Sequence, residues 1–405
     1  MGAVQAAAIA SGVGLQVLAA RFLPPREYAC FASVNLVCMV LVLALVGGLP
    51  MALRREVSAR PASLAGAFRA VLTTQLPLGL AAGGLLAAVR GPLGDLLASP
   101  ELVPILPIVA AEVAVRAGFL DPCLLLVNAA GDRAMYVRVM AAFYACRVAF
   151  AAGLLGFGVG LAGASAALLL AAIVAGLAAG GVLAAGVGVC GRLGQAASGW
   201  GIGWSGFGPG YEVVAFALPA VNLWVVGALY PEHPELGAYA VITMMSRLVL
   251  PFGQVLGGGS FRWVAWANAT GDVRLPAFLC RSAAVIAAVA VGGAAAAAIC
   301  GPPVIGVVFG PVYANSPAVC GLLFGASGLA AGMGWAGESL GAMDRVGQRF
   351  WAAAAALGAG VAVTVLLAHV YGLTGAAAAA VIANGGAALA LGRVLWAATR
   401  RRRAS

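Results

Sequence analysis

The sequence predicts an all-α polytopic membrane protein of about twelve transmembrane helices, arranged as two parallel six-helix bundles around a central cavity. Three observations lead to this fold class. First, the chain is 63% hydrophobic and only 9% charged, whereas a soluble domain carries roughly 25% charged residues. Second, its apolar residues lie in long runs that match the roughly 20 residues a helix needs to cross a bilayer. Third, the second half of the chain repeats features of the first half.

The apolar runs define six predicted spans in each half. Helices are the expected structure because lipid cannot satisfy exposed backbone N–H and C=O groups. The spans of the first half are 3–21, 31–53, 70–89, 103–128, 134–157 and 160–186. Those of the second half are 213–230, 238–261, 278–300, 317–340, 350–370 and 374–397.

The placement of arginine predicts the orientation of the spans. All 23 basic residues are arginine. One set of alternate loops carries Arg54, Arg55, Arg60, Arg69, Arg133, Arg138, Arg192, Arg262, Arg274, Arg281, Arg345, Arg349, Arg400, Arg401, Arg402 and Arg403. The other set carries only Arg21, Arg26 and Arg90. By the positive-inside rule the first set is cytoplasmic. We therefore expect a multi-pass protein of the cell (inner) membrane with both termini in the cytoplasm and no nucleic-acid partner.

The residues that carry chemistry in enzymes and metal sites are sparse. The eight cysteines are scattered without a CxxC pair, and a cysteine inside an apolar run behaves as a small hydrophobe. We predict no disulfide framework, no metal site and no cofactor. The sequence also has no Ser/His/Asp set, no phosphate-binding GxxxxGK[ST] loop and no large outer loop, and we predict that the protein is not an enzyme.

The predicted domains are an N-terminal bundle over 1–190, a cytoplasmic linker over 191–212 and a C-terminal bundle over 213–405. Three short matches relate the two halves. EYACFA at 27–32 corresponds to ELGAYA at 235–240, Asp132-Arg133 corresponds to Asp344-Arg345, and GLAGA at 160–164 corresponds to GLTGA at 372–376. An even number of helices in each half gives both halves the same orientation, as in transporters built from parallel repeats that work by alternating access.

The first hairpin carries a resemblance to a known family. It reads ARFLPPREYA over 20–29, and GLP follows at 48–50. PELGAYA at 234–240 and YGLTGAA at 371–377 recur in the second half. These motifs resemble the polysaccharide flippases of the multidrug/oligosaccharidyl-lipid/polysaccharide superfamily, with Ala29 in place of the usual glycine. The resemblance implies export of a lipid-linked oligosaccharide from the inner to the outer leaflet, driven by an ion gradient or the membrane potential.

Three arginines inside predicted spans are candidates for binding the anionic headgroup of such a substrate. They are Arg116, Arg147 and Arg247. A charged group within the bilayer is costly and usually functional, and a guanidinium binds phosphate oxygens in a bidentate fork. For Arg116 the alternative is mutual neutralisation with Glu112, four residues earlier on the same helix face.

Three further residues complete the candidate set. Asn222 lies three residues after Pro219 in one predicted span, and the proline should bend that helix. We therefore expect Asn222 to act either in the cavity or in packing at the kink. Glu112 and Glu338 are candidates for ion coupling. For Glu338 the sequence favours a pair with a basic loop residue over a coupling role.

The function predicted from these features is a flippase for polyprenyl-pyrophosphate-linked saccharide units. Its partners would be the lipid-linked oligosaccharide, the bilayer and other membrane proteins of polysaccharide assembly. An ion-coupled small-molecule or multidrug antiporter of the same superfamily is the alternative, although acidic cavity residues would be expected there. A membrane-embedded glycan-assembly enzyme or scaffold is a third possibility. GAMDRVGQR at 341–349 partly matches a loop motif of major-facilitator transporters, but it follows the tenth span instead of the second or eighth.

Overall fold

The computed structural model describes residues 2–47, 53, 57, 64–96, 100–190, 207–314 and 316–401, and within these residues the chain is helical with connecting turns and no strand. The chain separates into two compact units, Met1–Pro209 and Gly210–Ser405. The predicted division into six-helix bundles joined by a linker stays a prediction, as does the arrangement of the bundles.

Six long helices make up the described part of the first unit. They are α1 (Gly2–Phe22), α2 (Pro25–Val46), α3 (Leu64–Ala88, with a π-helical turn at Val71–Gln75), α4 (Leu106–Val115, a π-helical turn at Arg116–Leu120, and Asp121–Ala129), α5 (Arg133–Gly156) and α6 (Gly160–Cys190). A short helix, Arg90–Leu96, and a 3₁₀ turn, Pro100–Leu102, lie between α3 and α4. Leu120, Val71 and Cys123 belong to the buried apolar core of this unit.

The helices of the second unit contain more breaks. They are α7 (Phe207–Ala217 and Val221–Leu229), α8 (Leu236–Ser246, a 3₁₀ turn at Arg247–Val249, and Leu250–Thr270), α9 (Leu275–Val308), α10 (Pro317–Ala342), and one helical stretch over Val346–Arg401. Gly372 has non-helical φ and ψ of 61° and −142°. This residue therefore divides the last stretch into α11 (346–371) and α12 (373–401).

The described residues contain eight helices long and apolar enough to cross a membrane, or nine if the bent pair in α7 forms one span. This count treats α11 and α12 as one helix. It includes neither α4, which carries three charged side chains, nor α1, whose described apolar part is the shorter helix Ala6–Phe22. The chain is therefore a multi-pass α-helical membrane protein, and the number twelve stays a prediction.

Two predicted boundaries are wrong. The segment between the predicted spans 278–300 and 317–340 is helical as far as Val308, although Pro302 and Pro303 lie inside α9. Burial of Ile305 and Phe309 stabilises this end of the helix despite the missing backbone N–H groups. Helix α7 begins at Phe207, before the predicted span 213–230, and the linker 191–212 stays a prediction. The part of this linker before Phe207, with Trp200 and Trp204, lies outside the described residues, as do Arg54, Arg55 and the GLP motif at 48–50.

Two glycines matched by the predicted repeat share an unusual backbone conformation. Gly160 has a φ of 64° and Gly372 a φ of 61°. Only glycine adopts positive φ without a steric penalty. Each residue lies at the start of the last long helix of its unit, so the GLAGA and GLTGA motifs perform the same local task, which is to end one helix and begin the next.

Candidate functional site

The π-helical turn Arg116–Leu120 interrupts α4 and carries a charged side chain between two acids. Arg116 Nη1 lies 3.5 Å from Oε1 of Glu112, and Nη2 lies 3.5 Å from Oδ2 of Asp121. Glu112 is 3% exposed and Arg116 14% exposed. The predicted ion pair of Glu112 with Arg116 therefore forms, and a second acid joins it.

Asp121 is a partner of Arg116 that the sequence pattern does not predict. In a regular α-helix, residues three or four apart are neighbours on one face, and residues five apart are not. Here the backbone N–H of Asp121 donates to the carbonyl of Arg116, the five-residue spacing of a π-helix. This widened turn brings Asp121 to the guanidinium. The Asp121-Pro122 dipeptide was the available signal for the irregularity.

Gln75 holds the π-helical turn of α4 against two other helices. Its side chain is fully buried, and Nε2 donates to the carbonyl of Ala117 at 3.0 Å and to that of Leu45 at 3.2 Å. Gly79 lies one turn further along α3, where an added Cβ would come within 2.5 Å of Cα of Gly118. The close approach of α3 to α4 therefore depends on glycine at 79, and the amide of Gln75 satisfies a carbonyl that the turn leaves free.

Replacing Gln75 with leucine should destabilise the first unit. The substitution leaves the carbonyls of Ala117 and Leu45 without this donor, and an unsatisfied buried polar group costs about 1–3 kcal/mol. We expect a lower midpoint of thermal unfolding in detergent. Gln348→Leu is the matched control, because Gln348 is exposed and its replacement should leave the midpoint unchanged. An equal midpoint for Gln75→Leu and the wild type would refute this role for the amide.

Arg147 on α5 joins the same cluster. It lies within electrostatic reach of both Glu112 and Arg116, and its buried Nε has no hydrogen-bond partner within the described structure. Cys38 on α2, a residue that the sequence does not single out, lies next to Glu112. The first unit thus brings together three predicted residues, Glu112, Arg116 and Arg147.

In the second unit, the bend of α7 places Asn222 in a buried pair. The two parts of α7 meet at 51°, a bend expected from Pro219. Asn222 is 4% exposed, and its Nδ2 donates to the hydroxyl of Tyr239 on α8 at 3.1 Å. Its Oδ1 has no partner among the described residues. The amide therefore joins α7 to α8 and keeps one buried acceptor free.

Arg247 begins the 3₁₀ turn of α8 and has no counter-ion in the described residues. Its guanidinium lies over the ring of Phe216 on α7, with 4.2 Å from Cζ to the ring centroid. Nη1 and Nη2 are both buried without a hydrogen-bond partner. Ser246, the preceding residue, accepts a hydrogen bond from the hydroxyl of Ser327 on α10 at 2.9 Å. The side chain of the residue before Arg247 is thereby hydrogen-bonded to a third helix.

The pair expected between a basic loop residue and Glu338 stays a prediction, because the described residues show no ion pair for Glu338. It lies on α10 within electrostatic reach of Tyr211, as do Glu212 and Arg349. Arg349 lies over the Tyr211 ring at 4.6 Å and donates to the carbonyl of Gly337. Arg349, which was expected to mark a cytoplasmic loop, thus packs on α7 and α10.

The two units carry different charge arrangements. In the first unit, two arginines and two carboxylates balance, whereas the described surroundings of Arg247 in the second unit hold no opposing charge. A buried guanidinium of this kind is suited to an anion with several oxygens, such as a phosphate. No group of three or more His, Cys, Asp or Glu residues that could hold a metal ion occurs in the part of the chain that the structure describes.

Comparison with protein families gives one match that extends over most of the chain. Residues 17–317 match a family described as polysaccharide biosynthesis protein. No curated protein sequence matches the chain.

Solved structures with the same fold come from transporters and a flippase. An inward-facing multidrug resistance MATE family transporter of the MOP superfamily is 14% identical with a TM-score of 0.75, covering 96% of this chain and 95% of its own. The lipid II flippase MurJ in an inward closed conformation is 12% identical with a TM-score of 0.67, and the match covers 96% of this chain and 87% of the flippase chain. The MATE transporter VcmN of Vibrio cholerae in a bent form is 16% identical with a TM-score of 0.62, and the match covers 98% of this chain and 95% of the VcmN chain.

Proposed function

The chain belongs to the polysaccharide biosynthesis protein family, and on that premise we propose that it is a flippase for polyprenyl-pyrophosphate-linked saccharide units. It moves them from the inner to the outer leaflet of the cell (inner) membrane by alternating access. Two parallel six-helix bundles, cytoplasmic termini and other polysaccharide-assembly proteins as partners are part of the same proposal. The fold shared with transporters and a lipid II flippase supports carriage instead of chemistry.

The buried, uncompensated guanidinium of Arg247 is the observation that carries this proposal. Burying a charge without a partner is unfavourable, and cation–π stacking on Phe216 offsets only part of that cost. A pyrophosphate supplies the missing negative charge and enough oxygens to accept from both Nη1 and Nη2. Binding of the cargo therefore relieves an unfavourable state of the empty protein.

The first unit provides a second anion site whose charge can be changed. Arg116 and Arg147 are the cations there, and Glu112 and Asp121 compete with the phosphate for them. A proton taken up by Glu112 removes one competing negative charge and strengthens anion binding. The two binding equilibria are then linked, which makes Glu112 the coupling residue of this proposal. Glu338 is the corresponding candidate in the second unit.

A multidrug antiporter is the second candidate function. The MATE fold favours it, and buried acids such as Glu112 could bind a cationic drug. The two functions differ in the sign of the cargo charge, because an uncompensated arginine repels a cation and attracts an anion. Asn222 is compatible with both functions, since its free Oδ1 accepts a hydrogen bond from a saccharide hydroxyl as readily as from a drug amine.

A ligand-induced stability assay distinguishes these functions. Purified protein is heated in detergent with an undecaprenyl-pyrophosphate oligosaccharide or with the cationic dye ethidium. A ligand at one hundred times its Kd stabilises the folded state by about 2.7 kcal/mol. We expect the anionic lipid to raise the unfolding midpoint of the wild type and of Arg262→Gln, an exposed arginine on α8, but not that of Arg247→Gln. Stabilisation by ethidium alone would favour the antiporter.

A further inference from the structure

The second unit contains a large apolar groove that the transport site does not use. Its volume is about 730 Å³. Three helices contribute its lining, with Cys280 and Ile286 from α9, Leu329 and Trp335 from α10, and the face of α12 from Gly385 to Trp396. Small residues at 385, 388 and 392 of α12 leave the groove open along one side of the helix.

We propose that this groove binds one acyl chain of an anionic glycerophospholipid of the surrounding membrane. The length of the groove agrees with such a chain. Trp396 lies eleven positions after Gly385, which is about 16 Å of helix at 1.5 Å per residue. The hydrocarbon core of a bilayer is about 30 Å thick, so the groove accommodates a chain that spans a single leaflet.

The polar groups of the groove select the headgroup. Arg393 lines it on α12, three residues before Trp396. Arg393 is exposed, and so is Arg281, which follows Cys280 on α9. Tryptophan and arginine are the residues that anchor a helix at the lipid headgroup level. The cation of Arg393 in the lining of an apolar groove complements a phosphate and disfavours a lipid without net charge.

Trp335 distinguishes a glycerophospholipid from a polyprenyl chain. The residue lines the groove and is 4% exposed, and its buried Nε1 has no acceptor within the described residues. An ester carbonyl of a glycerophospholipid supplies that acceptor while the phosphate remains with Arg393. A polyprenyl phosphate carries oxygen only at its head, so it cannot supply an ester acceptor in addition to the phosphate.

Gly392 gives a variant that fills the groove without disturbing the helix. An added Cβ at this position meets no atom within 4 Å, and the same is true of Gly293 on α9, which is not part of the lining. Gly392→Leu therefore blocks the groove, and Gly293→Leu is the matched control. Arg393→Gln removes the charge and leaves the apolar lining intact.

Native mass spectrometry of the full chain in detergent, titrated with phosphatidylglycerol, tests the proposal. We expect about tenfold weaker binding of the lipid by Gly392→Leu, corresponding to a free-energy change of about 1.4 kcal/mol, and unchanged binding by Gly293→Leu. Arg393→Gln should lose the preference for phosphatidylglycerol over phosphatidylethanolamine. Equal lipid binding by Gly392→Leu and the wild type would overturn the proposal. Tighter binding of undecaprenyl phosphate than of phosphatidylglycerol, lost in Gly392→Leu, would also overturn it and assign the groove to a polyprenyl chain.

Discussion

Arg247→Gln should lower the rate of lipid-linked oligosaccharide flipping in proteoliposomes by about a hundredfold without destabilising the protein. Hydrogen bonds to a charged group contribute about 1.5–3 kcal/mol, and 1.4 kcal/mol corresponds to a factor of ten. The loss of two such bonds to the cargo accounts for the expected decrease. In the empty protein the substitution removes a buried charge that has no counter-ion in the described structure, so the unfolding midpoint should stay equal or rise.

A lower flipping rate without a lower unfolding midpoint distinguishes a binding role for Arg247 from a structural one. If the arginine held α7 to α8 through Phe216, its loss would lower stability and transport together. Arg247→Lys keeps the charge but not the bidentate geometry, and it should retain an intermediate rate. Arg262→Gln removes an exposed charge from the same helix and should flip at the wild-type rate. A wild-type rate for Arg247→Gln would remove this residue from the site.

Arg116→Gln should have the largest effect on stability of any substitution in the first unit. It leaves Glu112, which is buried, and Asp121, which is 25% exposed, without their common partner. Removing one member of a buried ion pair costs about 3–5 kcal/mol. We expect a markedly lower unfolding midpoint in detergent and no measurable flipping, because the site is then both misfolded and less positive.

A neutral triple variant separates these two consequences. Arg116→Gln combined with Glu112→Gln and Asp121→Asn removes all three charges, and polar groups of similar shape replace them. The unfolding midpoint should recover most of the loss, since no uncompensated charge remains. Flipping should stay at least tenfold below the wild-type rate because Arg116 no longer contacts the phosphate. Full recovery of flipping in this variant would show that the three charges serve only to stabilise the fold.

Much of the fold could be predicted because a bilayer restricts what a chain can do. Apolar runs of about 20 residues have to become helices, and described helices overlap each of the predicted spans. The short motifs that relate the halves had a local meaning as well, since Gly160 and Gly372 both adopt positive φ at a helix junction. The extension of α9 through Pro302 and Pro303 was not predictable from the sequence, because burial of residues beyond the prolines stabilises it.

The site was predictable in its residue types and less so in its contacts. Charged residues inside apolar runs are rare, which made Arg116, Arg147 and Arg247 conspicuous in the sequence. Their surroundings depend on departures from regular helix geometry that periodicity does not encode. A π-helical turn brings Asp121 to Arg116, and a 3₁₀ turn begins at Arg247. Contacts between helices, such as that of Cys38 with Glu112, have no signal in the spacing along one chain.

Flipping by the wild-type protein is the most direct test of the proposed function. The purified chain is reconstituted in proteoliposomes with a fluorescent undecaprenyl-pyrophosphate oligosaccharide, and a membrane-impermeant quencher reports the lipid in the outer leaflet over time. An imposed proton gradient or membrane potential supplies the driving force. The proposal predicts protein-dependent movement of the labelled lipid between leaflets that exceeds the rate in empty liposomes. No movement by well-folded protein, across several saccharide headgroups and with either driving force, would contradict it.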